Sequence, residues 1–286
     1  MSSAAGMEER FTAHRGRQLR YLIGGTGPGM LLCHGFIGSA ENFDDWYAEL
    51  LQRRTLVVPD LPGNGFSMPL AALHDADSMA EAALSAADDA GLRDYDLAGL
   101  CLGAGVALAV RRLRAPEVRR VILHTPLLNP RLVRRRFHLQ LGLMMSRLVY
   151  PTIVWLGRQR VTSDLYKRFM VEGDSVDPDA AQANFDNQLR ANPRASREWL
   201  LDGLSRDDVA ALADSHHRML ILVAAEDRIV DGPRIARTLA GNPNIAVALI
   251  DDAGHGWTAT YVRRQLELIT AFLDDQPLPL PSTEAA

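Results

Sequence analysis

Three stretches of the sequence carry residue types that do chemistry together. In "DLAGLCLGAGVALAV", residues 96–110, Gly99 and Gly103 flank Cys101 where an apolar strand-like run passes into a helix-like one. A sharp strand-to-helix turn lifts the side chain at its tip above a sheet, and small neighbours make room for it. The helix behind it supplies a positive dipole end and free backbone N–H groups. A thiol so placed suits a nucleophile. "VAAEDRIV" sets Asp227 just past another apolar run, and "DDAGHGW" sets His255 past the last one. A carboxylate that orients an imidazole, which in turn handles the nucleophile's proton, is the arrangement for covalent acyl transfer. "LLCHGF" places His34 and Gly35 so that the next backbone N–H, that of Phe36, can join the N–H of Leu102 in a hole for an oxyanion. Each piece has a plainer reading alone: Cys101 as a small buried hydrophobe, Asp227 as a helix cap, His255 as a loop residue. Their chain order, nucleophile, acid, histidine, selects the catalytic reading.

The elements that must hold these residues are legible from periodicity. Short β-like runs at about 8–13 and 18–23 lead through "GGTGPG" into "MLLCHG", an uninterrupted apolar segment of the kind a strand buried on both faces shows. A helix is expected at about 40–52, then the strand "RTLVVPD" ending at Asp60 and the turn "LPGNGFS". An Ala-rich helix at about 77–91, a strand at 95–100, a helix at 102–114 and the strand "VRRVILHTP" follow. Strands alternating with helices at this spacing predict an α/β fold, a mostly parallel central sheet flanked by helices.

The alternation stops from Leu128 to about His216, where "RLVRRRFHLQLGLMMSRLVY", "DAAQANFDNQL" and "SREWLLDGL" read as helices. It resumes with "MLILVAAEDRIV", a helix at 232–240, "IAVALIDDAGHGW" and a closing helix to about 274. Residues 1–127 and 217–275 are thus expected to form the core and 128–216 an inserted helical lid over the strand ends, where ligands bind in open α/β sheets. Residues 276–286, Pro-rich, read as a disordered tail. Met144, Met145 and Trp155 in the lid, together with Trp257 beside the histidine, are candidates for lining an apolar acyl pocket.

The motifs "HGF", "DLPGNGFS", "GLCLG", "AAEDRIV" and "GHGW", in that order, resemble the α/β-hydrolase fold superfamily, specifically its lidded branch, over residues 8–274. The resemblance implies Cys101 as nucleophile, His255 as general base and acid, Asp227 rather than its neighbour Glu226 as the orienting acid, and Phe36 with Leu102 as oxyanion donors. It implies for His34, Gly35, Gly99 and Gly103 a supporting role in the oxyanion loop and elbow. The departure is the cysteine, since this position usually carries serine. Dienelactone hydrolases and polyhydroxyalkanoate synthases share the cysteine but differ in lid or length. Lidded C–C bond hydrolases match the layout but keep serine, and epoxide hydrolases and haloalkane dehalogenases need an aspartate there.

A cysteine beside an imidazole and a helix N-terminus can ionise to a thiolate–imidazolium pair. After thiolate attack on an alkyl ester, the intermediate expels the thiolate more readily than the more basic alkoxide, so the reaction leans on His255 as general acid. With a thioester the two leaving sulfurs are similar. Cys101 therefore favours thioesters, lactones and activated esters, and permits an acyl-enzyme that water, an amine or an alcohol could discharge. The expected function is a hydrolase, thioesterase or acyltransferase without a cofactor. The competing readings are a non-catalytic ligand-binding member of the fold, a C–C bond hydrolase, and a serine hydrolase with cysteine substituted for its serine.

Composition frames these expectations. The chain has 286 residues, 47% hydrophobic and 23% charged, as one large globular domain would. "MSSAAGMEERF" lacks the pattern of an export signal, and no run approaches the roughly 20 apolar residues of a membrane span. With only Cys33 and Cys101 a disulfide framework is not expected, so a cytoplasmic protein is. Cys33, inside an apolar run, reads as inert core. His216–His217 lacks a Cys or acidic partner at ligand spacing, so no metal is expected. The net charge of −4 conceals a stretch, 111–170, with 14 Lys/Arg against 2 Asp/Glu. Its arginines either pair with the acidic remainder or attract an anionic partner, such as a carrier bearing a small-molecule acyl thioester. Nucleic acid is not expected at a pI near 6.1 without a recognition motif.

Overall fold

The apolar runs become neighbours in one sheet. The computed structural model describes residues 6–138, 152, 186–187, 189–213, 215–256 and 258–280. Its strands are β1 (Met7–His14), β2 (Arg17–Gly24), β3 (Gly29–Cys33), β4 (Thr55–Pro59), β5 (Tyr95–Leu100), β6 (Val118–His124), β7 (Arg218–Ala224) and β8 (Ile245–Ile250), in the spatial order β1-β2-β4-β3-β5-β6-β7-β8. Strands β1 and β2 form a hairpin, and β2 runs antiparallel to β4. All remaining pairings are parallel. β3, β5 and β7 are covered on both faces, which is why they read as continuous rather than alternating apolar runs.

The helices that pack on or beside this sheet are α1 (Asp44–Leu50), α2 (Ala76–Asp89), α3 (Gly103–Leu113), α4 (Pro193–Ser205), α5 (Val209–Ala213), α6 (Gly232–Leu239) and α7 (Ala259–Leu273). One face of the sheet packs against α2, α3 and α6, the other against α1 and α7. The period-two geometry of a strand divides β5 between them: Leu97 joins the first core, Ala98 and Leu100 the second. The alanines of α2 (Ala76, Ala80, Ala83, Ala87) are small enough for close packing beside α3, and Asp75 caps the helix by accepting from the Ser78 N–H.

The helix expected at 40–52 is divided into a 3-10 turn, Ala40–Phe43, and α1. Asp60 explains the division: its Oδ1 accepts the Ala40 N–H at 2.8 Å and its Oδ2 the Phe66 N–H at 2.8 Å, so the chain entering α1 is tied to the turn after β4. The chain between β6 and β7 is described only at its two ends. At the first, Val133 bridges to Val230 and the Arg134 N–H donates to the Ile229 carbonyl. At the second, "SREWLLDGL" lies in α4, which is fastened to the 61–64 turn where the Asn192 N–H meets the Gly63 carbonyl at 2.7 Å. "DAAQANFDNQL" falls mostly outside the described residues. Of the expected tail, residues 276–280 are described: Leu278 lies against the second core and the Pro279 carbonyl accepts from Arg264.

The arginines that open the basic stretch are absorbed by acids from elsewhere in the core. Arg112 pairs with Asp77, Arg114 with Asp88 and Glu117, and Arg120 with Asp275. Asp96, fully buried near the start of β5, sits within 2.8 Å of Arg119, 3.5 Å of Arg120 and 3.7 Å of Arg54. Removing its carboxylate takes one partner from each of three guanidinium groups at the end of the sheet opposite Cys101, leaving Arg54 on Asp274 and Arg120 on Asp275. Asp96→Ala is expected to lower stability in urea by about 3–5 kcal/mol, while the folded fraction keeps the wild-type rate of Cys101 alkylation by iodoacetamide.

Candidate active site

The loops after β3, β5, β7 and β8 converge at one end of the sheet, and each brings one of the residues singled out in the sequence. Cys101 follows β5 with a backbone φ of +49°, a left-handed conformation rarely adopted by a side-chain-bearing residue. Its neighbours explain how the turn fits. A side chain at Gly103 would lie 2.2 Å from the His34 carbonyl oxygen, and one at Gly99 2.5 Å from that of Gly103. At Gly35 a side chain would lie 3.3 Å from the Cys101 Cβ. The Cys101 backbone is held from both sides: its N–H donates to the His124 carbonyl at 2.9 Å, and its carbonyl accepts the Leu127 N–H at 3.2 Å.

Asp227 lies past β7 and is fully buried. Its Oδ1 accepts the N–H groups of Ile229 at 2.7 Å and Val230 at 3.0 Å, and its Oδ2 faces His255 Nδ1 at 2.8 Å. The neighbouring Glu226 is exposed. Burial disfavours the Asp227 carboxylate, but His255 and the two backbone donors outweigh it and lower its pKa. Burial likewise disfavours the His255 imidazolium; the charge and hydrogen bond of Asp227, followed by those of Cys101, hold its pKa well above the ordinary histidine value. His255 is therefore in hydrogen-bonding contact with both Asp227 and Cys101.

Phe36 follows β3 next to Gly35, and Leu102 follows Cys101 at the start of α3. The backbone N–H of neither has an acceptor among the described residues. His34 braces the first of them: its Nε2 accepts the Leu61 N–H at 2.9 Å, which leaves Nδ1 to donate to the Gly35 carbonyl at 2.8 Å. Burial pushes its pKa down to about 4, so it stays neutral. Cys33 is core, its thiol pushed up to about 12 by burial. His217 meets the Ala115 carbonyl at 3.0 Å, and among the described residues no group of three or more His, Cys, Asp or Glu could hold a metal. Met144, Met145, Trp155 and Trp257 lie outside the described residues.

Other contributors had no signal in the sequence. Arg134, inside a run of arginines, donates through Nε to the Asp227 backbone carbonyl and through Nη2 to that of Ala225 at 3.4 Å, fastening the acid loop to the chain leaving β6. Trp199 of α4 is fully buried with its ring 6.0 Å from that of His34. Gly203, one turn further on, lies against the Leu102 side chain, whose Cδ2 would be 2.2 Å from an added Cβ. Only the helical period of "SREWLLDGL" was readable, and it does not say what the helix meets.

The model of the alpha/beta hydrolase family matches residues 30–264. Pyrrolizixenacetamide deacetylase from Xenorhabdus hominickii is 31% identical over 125 residues, 43% of this chain and 47% of that protein. Haloalkane dehalogenase 2 from Mycobacterium tuberculosis (strain ATCC 25618 / H37Rv) is 35% identical over 114 residues, 40% of each chain. The matched segments thus span less than half the length of these curated relatives. Among solved structures, a thermophilic esterase from Thermogutta terrifontis superposes with a TM-score of 0.72 at 21% identity, covering 94% of this chain and 98% of that one. E-2-(acetamidomethylene)succinate hydrolase does so with a TM-score of 0.75 at 20% identity, covering 94% and 99%. At these identities the structural likeness is one of fold.

The Asp227–His255 pair has a definite pH signature. A raised histidine pKa in the folded chain contributes stability that is complete below the ordinary value of about 6.5 and is lost as pH rises through the folded value. The lowered Asp227 pKa contributes above its ordinary value of about 3.9 and is lost only as pH falls. Asp227→Asn keeps an acceptor for the Ile229 and Val230 N–H groups but removes the charge. The stability deficit of this variant in urea is expected to be widest, on the order of 3 kcal/mol, near pH 6 and to narrow steadily toward pH 10. A deficit that grew with pH would contradict a protonated His255.

Proposed function

Because this chain belongs to the alpha/beta hydrolase family, we propose that it is an acyl hydrolase or acyltransferase that works through a covalent acyl-enzyme at Cys101. The observation that supports this reading most is the unbroken contact from Asp227 through His255 to Cys101, at a left-handed turn flanked by two N–H groups without acceptors among the described residues. In this reading the Cys101 thiolate attacks the substrate carbonyl while His255 holds the proton. The Phe36 and Leu102 N–H groups receive the oxyanion. Collapse breaks the bond to the leaving group, and His255 delivers its proton to that group. Water or another acceptor then attacks the thioester at Cys101, giving up its proton to His255, and the thiolate departs.

Leaving-group chemistry directs the choice of substrate toward thioesters, lactones and activated esters, for which the departing group competes with the Cys101 thiolate. A small-molecule acyl group on an anionic carrier suits the basic stretch. The arginines paired above are taken up by acids of this chain, whereas Arg131, Arg135 and Arg136, exposed among the described residues, support a reading in which an anionic carrier meets this stretch. A second reading is amide hydrolysis. Two of the matched proteins carry acetamide in their names, and a protonated His255 is the acid an amine leaving group requires.

Intact-protein mass after brief exposure to aryl esters, lactones, acyl thioesters and acyl anilides tests these readings, with Cys101→Ala as control and an added amine in a second set. An acyl adduct is expected in the wild type and is expected to vanish in Cys101→Ala along with turnover. Discharge faster with amine than with water would identify a transferase, discharge by water alone a hydrolase. Full turnover by Cys101→Ala would refute the mechanism.

A further inference from the structure

Beneath the candidate triad lies a second histidine with no part in the chemistry proposed above. His124 ends β6 and is 2% exposed. Its carbonyl is the acceptor that pins the Cys101 N–H. The next residue, Thr125, is β-branched and has a φ of +38°, a conformation that costs energy and persists only where its surroundings enforce it. Part of that enforcement is the Thr125 N–H, which donates to the Leu222 carbonyl at 2.8 Å. The remainder is the His124 ring, whose Nδ1 lies 3.1 Å from Thr125 Oγ1.

The protonation of that ring is dictated from a distance. Trp46 Nε1 can only donate, and it lies 2.9 Å from Gln265 Oε1, so the amide of the buried Gln265 turns its NH2 toward His124. Gln265 Nε2 lies 2.9 Å from His124 Nε2, which must therefore accept. The ring proton is left on Nδ1, where it faces Thr125 Oγ1. Tyr261 from α7 packs on the ring at 5.5 Å between centroids, and His255 and Asp227, from the loops after β8 and β7, are the charged groups that act on it. Burial and the charge of His255 hold the His124 pKa down at about 3, against a weaker opposite pull from Asp227.

We propose that His124 is a positioning residue for Cys101: Trp46, through Gln265, fixes its proton on Nδ1, and that N–H holds Thr125 in the left-handed turn whose preceding carbonyl pins the Cys101 backbone. The inference deepens the reading of Cys101 as nucleophile and rests on it. A merely space-filling side chain at 124 would need no particular proton, whereas this role requires a donor at the Nδ1 position and an uncharged ring behind His255.

Two measurements on the full chain test it without any substrate. Nitrogen-15 NMR of the histidines is expected to show His124 as the Nδ1–H tautomer, without titration from about pH 5 to 9. Iodoacetamide alkylation of Cys101, followed by intact mass, reads the elbow directly, because Cys33 is fully buried. His124→Asn puts an amide N–H near the Nδ1 position and is expected to alkylate close to the wild-type rate, whereas His124→Leu is expected to slow by about 10–100-fold. Gln265→Glu offers Nε2 an acceptor, drawing a second proton onto His124, and is expected to add an ionisation near neutral pH to the alkylation profile that Gln265→Leu does not show. Equal rates for His124→Asn and His124→Leu, titration of His124 in the wild type, or identical profiles for the two Gln265 variants would overturn the proposal. If His124→Leu does not fold, the spectra and the Gln265 pair decide the matter. Failure of the acyl-enzyme reading would appear separately, as turnover that survives Cys101→Ala.

Discussion

The left-handed backbone at Cys101 is the constraint around which the rest of this structure is arranged. A φ of +49° puts the thiol at the tip of the turn, but a side-chain-bearing residue holds that conformation only if its surroundings leave no easier one. Gly99 lets β5 and α3 close on each other and Gly103 lets α3 lie on the end of β3, at distances no Cβ would tolerate, and Gly35 lets the preceding loop lie against the cysteine. The backbone hydrogen bonds from residues 124 and 127 then hold the turn from its other side. Those contacts require β3, β5 and β6 to be adjacent and parallel, which is how the sheet orders them.

Three histidines near this turn show how one side chain takes different states according to its partners. His34 and His124 are buried with backbone or amide donors at one nitrogen, so each is neutral and serves as a fixed bracket. His255 faces a buried carboxylate and a thiol, and its pKa is held up rather than down. The contrast matters chemically, because a positive charge confined to one of the three is opposed by no neighbouring imidazolium.

Much of the architecture was legible in the sequence because it follows from period and punctuation. Continuous apolar runs marked strands buried on both faces, and the glycines around Cys101 marked a turn that needs small neighbours. Asp227 was separable from Glu226 only through the family resemblance; in the structure, it is the residue whose carboxylate reaches His255. Other contributors were not legible because they depend on contacts between distant segments. Gln265 reaches His124 across 141 positions, and Arg134 reaches Asp227 across 93. Nothing in "RRQLEL" or "LVRRRF" announces such a partner, and helical periodicity reports only which face is buried. The 3-10 turn before α1 escaped for the same reason, since Asp60 imposes it from another loop.

Gly203 carries a consequence for how such a protein could diversify. The helix α4 belongs to the stretch between β6 and β7, while Leu102 belongs to the elbow, yet the two meet with no room for a single methyl group. A new side chain at 203 would have to turn aside the end of the Leu102 side chain, which lies between α4 and the elbow. The packing of α4 and that of the elbow therefore constrain each other. An exchange of the β6–β7 insertion between related chains would transplant cleanly only if its boundary kept α4 with the core, or if the graft brought an equally bare helix face to the same spot.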